Sequence, residues 1–106
     1  MPKFLVQASY TTEGIRGVIK EGGTSRRAAV QKLVESAGGR VDAFYFAHGE
    51  HDAYVITDFA DNISALAVTL AVNASGAVRI STVPLITPEE IDAAAKKTVS
   101  YRAPGA

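Results

Sequence analysis

The chain of 106 residues has no cysteine, no tryptophan and no excess of charge of either sign. Without cysteine it has no disulfide framework, thiol nucleophile or thiolate metal site, and we expect a cytoplasmic location. Because eleven basic residues balance eleven acidic ones, no overall field favours nucleic acid or an anionic membrane as a partner. The apolar runs are also shorter than the roughly 18 residues that a membrane span needs.

The N-terminal segment and the length indicate one folded unit without a secretory leader. Residues 3–10 alternate between two sets of side chains, as a strand does, and lack the basic and apolar regions of a signal peptide. The length suits one domain. We therefore expect a single domain over residues 1–98, followed by a C-terminal tail over residues 99–106.

Hydrophobic periodicity predicts eight helices and strands. Apolar residues recur at every second position in the expected strands, and at three- and four-residue spacing in the expected helices. The pairs Gly22-Gly23 and Gly38-Gly39, together with Gly76, separate several of these elements. The predicted elements, with approximate bounds, are strand 3–10, helix 12–20, helix 25–37, strand 40–47, strand 53–59, helix 62–75, strand 77–85 and helix 88–97.

Short polar side chains mark the start of each predicted helix. Such side chains accept hydrogen bonds from the free N–H groups of a first helical turn. The candidate caps are Thr11 or Thr12, Thr24 or Ser25, Asp61 or Asn62, and Thr87. The segment Thr87-Pro88-Glu89-Glu90 has the pattern of a capping box with proline at the first helical position.

The order of elements predicts an α+β fold, a ferredoxin-like βαββαβ sandwich with an additional C-terminal helix. The crossovers place the helices on one face of an antiparallel sheet, with Phe4, Val6, Ala8 and Tyr10 on the core face of the first strand. In the central hairpin we place Tyr45 and Val55 on one face. Four large side chains are expected on the other face: Phe44, Phe46, Tyr54 and Ile56.

These side chains leave the face opposite the helices apolar, so it needs a cover. Burying a large side chain contributes about 1.5–3 kcal/mol, and an exposed cluster would forgo that gain. We expect a second copy of the chain to cover this face. The predicted state is a homo-oligomer, a dimer or larger, with no nucleic acid and no membrane as partner.

Several motifs resemble the GYD domain family over about residues 3–92. They are Gly38-Gly39 at a helix end, the turn Gly49-Glu50-His51-Asp52, the helix opened by Asp61, and the segment 76–82. The resemblance implies a ferredoxin-like fold of the dimeric α/β-barrel type, with no established biochemical function. The family's glycine and aspartate are retained as Gly49 and Asp52, whereas His51 stands at the tyrosine position.

The turn has both a structural and a functional interpretation. In the structural one, Gly49 supplies the unusual dihedral angles of a tight hairpin and Asp52 accepts hydrogen bonds from turn amides. In the functional one, His48, Glu50, His51 and Asp52 offer four potential metal ligands within five residues. Because a turn points consecutive side chains in different directions, we predict no dedicated metal site and no cofactor, with His48 and His51 as weak metal candidates.

The concave space between sheet and helices is the other candidate site. Space of this kind holds small organic molecules between an apolar wall and a few polar groups. The ligand-binding candidates are Tyr10, Arg27, Tyr45, His48, His51 and Asp52. The leading interpretation is a non-catalytic, oligomeric module that binds a small molecule or another protein. The alternative is a small cofactor-independent enzyme, of oxygenase or isomerase type, in which a turn histidine acts as the base.

Overall fold

A computed structural model describes residues 2–106 and contains four strands and four helices. The predicted order of elements is confirmed, and the bounds agree to within a few residues. The elements are β1 (Lys3–Tyr10), α1 (Thr12–Glu21), α2 (Gly23–Ser36), β2 (Arg40–Phe46), β3 (Ala53–Asp58), α3 (Asn62–Ala74), β4 (Val78–Pro84) and α4 (Pro88–Ala95).

The strands form one antiparallel sheet in the order β2-β3-β1-β4. This order, with β1 and β3 in the middle, confirms the ferredoxin-like arrangement. Helices α2 and α3 pack on one face through the predicted core side chains of β1, since Phe4 and Ala8 are both buried there. We call the opposite face of the sheet the open face.

Three of the four helix caps follow the sequence prediction. The side chains of Thr11 and Asp61 accept hydrogen bonds from the third residue of α1 and α3, and Thr87 forms the complete capping box of α4 with Glu90. The N–H of Ser64 holds the pKa of Asp61 below its ordinary value of 3.8. These caps are local interactions, so a single sequence is enough to predict them.

The cap of α2 differs from the prediction. Gly22, with a φ of 90°, links α1 directly to α2, which begins at Gly23 without a side-chain cap. Thr24 and Ser25 therefore lie inside the first turn of α2. A glycine at this positive φ lets two helices follow each other with no intervening loop.

Two groups of buried side chains form the core between the sheet and the helices. Phe59 is 1% exposed and meets the ring of Phe4 edge-on, with 5.9 Å between the ring centroids. The second group lies at the other end of the sheet, around Ala8, Ala53 and Val78. Residue Val72 of α3 packs against both groups, so α3 connects them.

The faces of the hairpin differ from the prediction. Phe44 pairs with Val55 and Tyr45 pairs with Tyr54, so Phe44 lies on the helix face and both tyrosines lie on the open face. By the same register Phe46 shares the helix face with its partner Ala53. The prediction assigned Phe44 and Phe46 to the face of Tyr54 and Ile56, which is off by one residue of register, and one such slip exchanges the faces of a strand.

The open face remains partly apolar after this correction. Tyr45 is 72% exposed and Val83 is 40% exposed, while Leu5, Tyr54 and Ile56 are half-buried. Polar side chains lie among them: Gln7, Ser9 and Ser81. Among residues 2–106, no helix packs against the open face with substantial contacts.

The C-terminal arm, residues 86–106, extends away from the rest of the chain. Helix α4 has no buried residue, and it makes no substantial contact with another helix or strand. The radius of gyration is 16.9 Å, whereas a compact chain of this length has about 13 Å. Four apolar side chains of the arm are well exposed: Ile86, Ile91, Val99 and Tyr101.

No helix within residues 2–106 has both the length and the apolar character needed to cross a membrane.

Candidate functional site

Two adjoining cavities lie between the sheet and the helices. The outer cavity has a volume of about 470 Å³ and opens beside α1, and the inner cavity has about 50 Å³ and lies against the sheet. Five residues line both cavities: Tyr10, Arg26, Leu33, Val72 and Val78. These shared residues form the junction through which the two cavities meet.

The position of α1 defines the mouth of the outer cavity. Both the N–H and the hydroxyl of Thr11 donate to the carbonyl oxygen of Ala77, at 3.0 and 3.1 Å, so the start of α1 is fixed to the segment that leads into β4. Gly14 allows the close approach, because a Cβ at this position would overlap the Ala77 carbonyl oxygen. The first turn of α1 therefore cannot move away from the cavity without breaking these contacts.

The inner cavity is almost entirely apolar. Its wall consists of side chains from all four strands and from α2 and α3, among them Val6, Val55 and Val68. Its polar groups are Thr57, Tyr10 and Arg26, and the Thr57 hydroxyl points to the Phe4 carbonyl oxygen at 3.5 Å. A small apolar group fits this wall better than a polar one.

The outer cavity has a more polar rim. Glu13 and Glu21 of α1 are exposed at the mouth, and Arg26 of α2 lies at the junction with the inner cavity. The guanidinium carbon of Arg26 is 6.0 Å from the centroid of the Tyr10 ring. At this distance the ring attracts the cation and holds the arginine side chain over β1.

The structure separates the predicted ligand-binding residues. Tyr10 alone among them lines the two joined cavities. Tyr45 lies on the open face, and Arg27 lines a shallow groove along the edge strand β2. His48 is exposed in the turn and lines neither of the two joined cavities.

His51 also lies away from the cavities. Its Nδ1 is 3.2 Å from the hydroxyl of Ser9, and its ring meets Tyr54 edge-on with 5.8 Å between centroids. Ser9 and Tyr54 belong to the open face, so His51 caps one end of that face. Among residues 2–106, no three histidine, aspartate or glutamate side chains come together in a way that holds a metal ion.

Asp52 attaches the hairpin to the central strand. Its Oδ2 accepts a hydrogen bond of 2.8 Å from the N–H of Tyr10, and its own N–H donates to the carbonyl of Ala8 at 2.8 Å. The predicted hydrogen bonds to turn amides are therefore replaced by bonds to β1. The prediction for Gly49 is wrong, because this residue has no positive φ.

A cluster of four charged side chains occupies the opposite end of the open face. Lys3 donates to Asp42 and to Asp58, and Arg40 donates to Asp58 at 2.7 Å and to Asp42 at 3.1 Å. The hydrogen bond from Lys3, and then that from Arg40, hold the pKa of Asp42 below 3.8 against the opposing effect of desolvation. The hydrogen bonds that Lys3 donates to Asp42 and to Asp58 raise the pKa of Lys3 above 10.5, with Asp42 the larger cause. The two cations and two anions cancel, so the cluster has no net charge.

Arg26 is the site residue that the sequence prediction missed. The prediction chose its neighbour Arg27, yet Arg26 stands four and seven residues before Val30 and Leu33, which belong to the buried side of α2. On a helix, residues at these spacings share a face. The helical phase was therefore the signal that distinguishes the two arginines.

Comparison with models of known protein families identifies a family. The family model described as GYD domain matches residues 4–95, which is most of the 106-residue chain. This range includes the sheet except Lys3, the lining of both cavities and all of α4. Searches among curated proteins and among solved structures gave no match.

Proposed function

The chain belongs to the GYD domain family, and from this premise we propose that it is a non-catalytic homodimeric module that binds a small molecule between its sheet and its helices. The observation that supports binding is the pair of joined cavities. Small-molecule sites are commonly clefts or cavities with an apolar wall and a few polar groups, and the joined cavities have both.

The volume of the inner cavity limits the part of the ligand that enters it. A water-sized group needs about 10–15 Å³ of such volume, so about 50 Å³ accommodates roughly four methylene-sized groups. The outer cavity, about 470 Å³, has room for the remainder of a larger molecule. The ligand is therefore a small molecule with a short alkyl chain or a compact apolar end.

Binding can be tested with hexan-1-ol, an uncharged probe whose terminal carbons fit the inner cavity while its hydroxyl end stays at the junction. Titration of ¹⁵N-labelled protein is expected to give saturable shifts of backbone amides at Tyr10, Val72 and Val78. Val72→Phe should abolish these shifts because the larger side chain fills the junction. Leu70→Phe, an exposed position on the same helix, should retain them. Shifts that do not saturate, or that lie on the open face, would contradict the proposed site.

The proposed second copy covers the open face. Four strands about 4.8 Å apart and about seven residues long give this face a footprint of roughly 440 Å². A specific interface buries about 800 Å² on each partner, so the sheet face alone falls short. The C-terminal arm supplies further apolar surface in the same chain, including Ile91 and Tyr101.

A dimer with twofold symmetry would cover both the open face and the C-terminal arm. In such a dimer the same patch is used on both copies, so each arm that packs on its partner is matched by the partner's arm. The arm extends from the end of β4, an edge strand of the sheet, and reaches beyond its own body. Exchange of the two arms then buries apolar residues that have no cover within one chain.

Light scattering after size exclusion, at tens of micromolar protein, tests the dimer. The expected mass is that of two chains. Tyr45→Glu on the open face and Ile91→Glu on the arm should shift the protein towards the mass of one chain. A matched control is Leu70→Glu, because Leu70 is 62% exposed on the outer side of α3. If Leu70→Glu separates the copies and Tyr45→Glu does not, the interface lies on α3 and the proposed arrangement is wrong.

A further inference from the structure

Arg26 has a buried donor that no group of the chain satisfies. Among residues 2–106, its Nε is the one buried side-chain nitrogen or oxygen without a hydrogen-bond partner. A donor buried without a partner costs about 1–3 kcal/mol, so proteins seldom retain one without a purpose. Since Arg26 lines both cavities, an acceptor in the junction would lie beside it.

Among residues 2–106, one charged residue is buried as a whole, and its charge is neutralised within the protein. Asp58, with a side chain 5% exposed, is paired with both Lys3 and Arg40. Arg26 forms no ion pair with another side chain of residues 2–106, and its guanidinium is supported only by the face of the Tyr10 ring. Its positive charge is therefore available to a molecule in the cavities.

From these observations we infer that the site selects a carboxylate with a short apolar chain. The carboxylate accepts hydrogen bonds from Arg26 at the junction, and the apolar chain enters the inner cavity. Guanidinium and carboxylate match because both are planar and charge-assisted hydrogen bonds are about twice as strong as neutral ones. This inference rests on the proposed function, since it assigns the ligand class of the same site.

The two glutamates at the mouth do not reverse this preference. Glu13 and Glu21 are exposed, and water and salt weaken the field of exposed charges over distances near 10 Å. Neither lines the inner cavity, whereas Arg26 does. An ammonium group at the junction would stand beside the guanidinium with a like charge, so amines are expected to be poor ligands.

Three probes with the same chain and different heads test the inference: hexanoate, hexan-1-ol and hexylamine. In ¹⁵N titrations at pH 7, hexanoate is expected to bind wild-type protein about tenfold more tightly than hexan-1-ol, in line with one added charge-assisted hydrogen bond. Hexylamine is expected to bind more weakly than the alcohol.

Substitutions at two adjacent arginines identify the group responsible. Arg26→Gln should reduce the affinity for hexanoate to that for hexan-1-ol while leaving alcohol binding within about threefold. Arg26→Lys should retain part of the preference because the charge remains. Arg27→Gln is the control, since it removes the same charge from a residue outside both cavities, and it should keep the tenfold preference.

The outcomes separate this inference from the proposed function. If the acid and the alcohol bind equally in the cavities, or if Arg26→Gln keeps the preference, the ligand class is wrong and the binding site stands. If hexylamine binds best, Glu13 and Glu21 set the charge preference and the inference is likewise overturned. If none of the probes gives saturable shifts of the cavity amides, both the ligand class and the proposed function are wrong.

Discussion

Gly14 and Gly17 lie one turn apart on α1. From their surroundings we expect substitution by alanine to have opposite effects on the free energy of unfolding at the two positions. A Cβ at Gly14 would overlap the carbonyl oxygen of Ala77 and lie 2.9 Å from its carbonyl carbon, whereas a Cβ at Gly17 meets nothing within 4 Å. Gly14→Ala must therefore push α1 away from the segment before β4. Gly17→Ala needs no adjustment.

The expected magnitudes follow from these contacts. At Gly17, alanine gains about 0.8–1 kcal/mol of helix propensity. At Gly14 the same gain is opposed by about 1–3 kcal/mol of overpacking, and by the weakening of the two hydrogen bonds that Thr11 donates to Ala77 at about 0.5–1.5 kcal/mol each. We expect Gly17→Ala to stabilise the fold by about 1 kcal/mol and Gly14→Ala to destabilise it by about 2–4 kcal/mol.

Urea denaturation followed by far-ultraviolet circular dichroism measures both changes in the free energy of unfolding. Both variants must be compared with wild type at one protein concentration, because the proposed dimerisation would make the apparent stability depend on concentration. In thermal melts the two variants should differ by about 12 °C or more, since 1 kcal/mol corresponds to about 4 °C for a chain of this size. Equal stabilities of the two variants would refute the close contact between α1 and Ala77.

Three further substitutions test other parts of the structure. Asp42→Asn should make the melting temperature fall less steeply than in wild type between pH 4 and pH 2. Because the folded protein depresses the pKa of Asp42, the ionised carboxylate contributes stability that is complete above pH 3.8 and is lost as the pH falls below it. Identical slopes for the variant and wild type would contradict this. Asp52→Ala should cost about 1–3 kcal/mol in urea titrations by removing the acceptor of the Tyr10 N–H, while Glu50→Ala in the same turn should cost nothing measurable; equal effects would exclude the anchoring role. Phe59→Ala should cost about 3–5 kcal/mol, and a loss under 1 kcal/mol would show that Phe59 is not central to the core.

The helices and their ends, apart from the start of α2, were predictable because the signals are local. The capping box at Thr87 and the positive φ of Gly38 and Gly76 depend on residues within one or two turns. The core face of β1 follows from alternation alone. These elements, taken in order, were enough to predict the ferredoxin-like arrangement.

The faces of the hairpin were not predictable from alternation in each strand. They depend on which residue of β2 stands opposite which residue of β3, and a shift of register between Val41 and Ala43 interrupts the ladder. At a bulge of this kind the alternation of side chains between the two faces shifts by one residue. Residues before and after the bulge therefore do not follow one continuous alternation. The loop 47–52 is also longer than a two-residue turn, so turn type did not fix the register.

The sequence predicted where the candidate site lies, but it predicted only some of the residues that line it. The space between sheet and helices was expected to hold a ligand, and Tyr10 lies there. Tyr45 and His51 were assigned to the same space because each is a polar group on or beside a strand, but the pleat and the turn direct them to the open face. Arg26 was missed because the two adjacent arginines were not compared by their phase on α2.

Isotope-filtered nuclear Overhauser spectra can show directly whether a small molecule binds between the sheet and the helices. With ¹³C-labelled protein and unlabelled hexan-1-ol, we expect contacts from the alkyl chain to the methyl groups of Val72 and Val78. We expect none to Val83, which lies on the open face. Contacts to Val83 without contacts to Val72 and Val78 would contradict the account, because the probe would then occupy the surface proposed for the second copy.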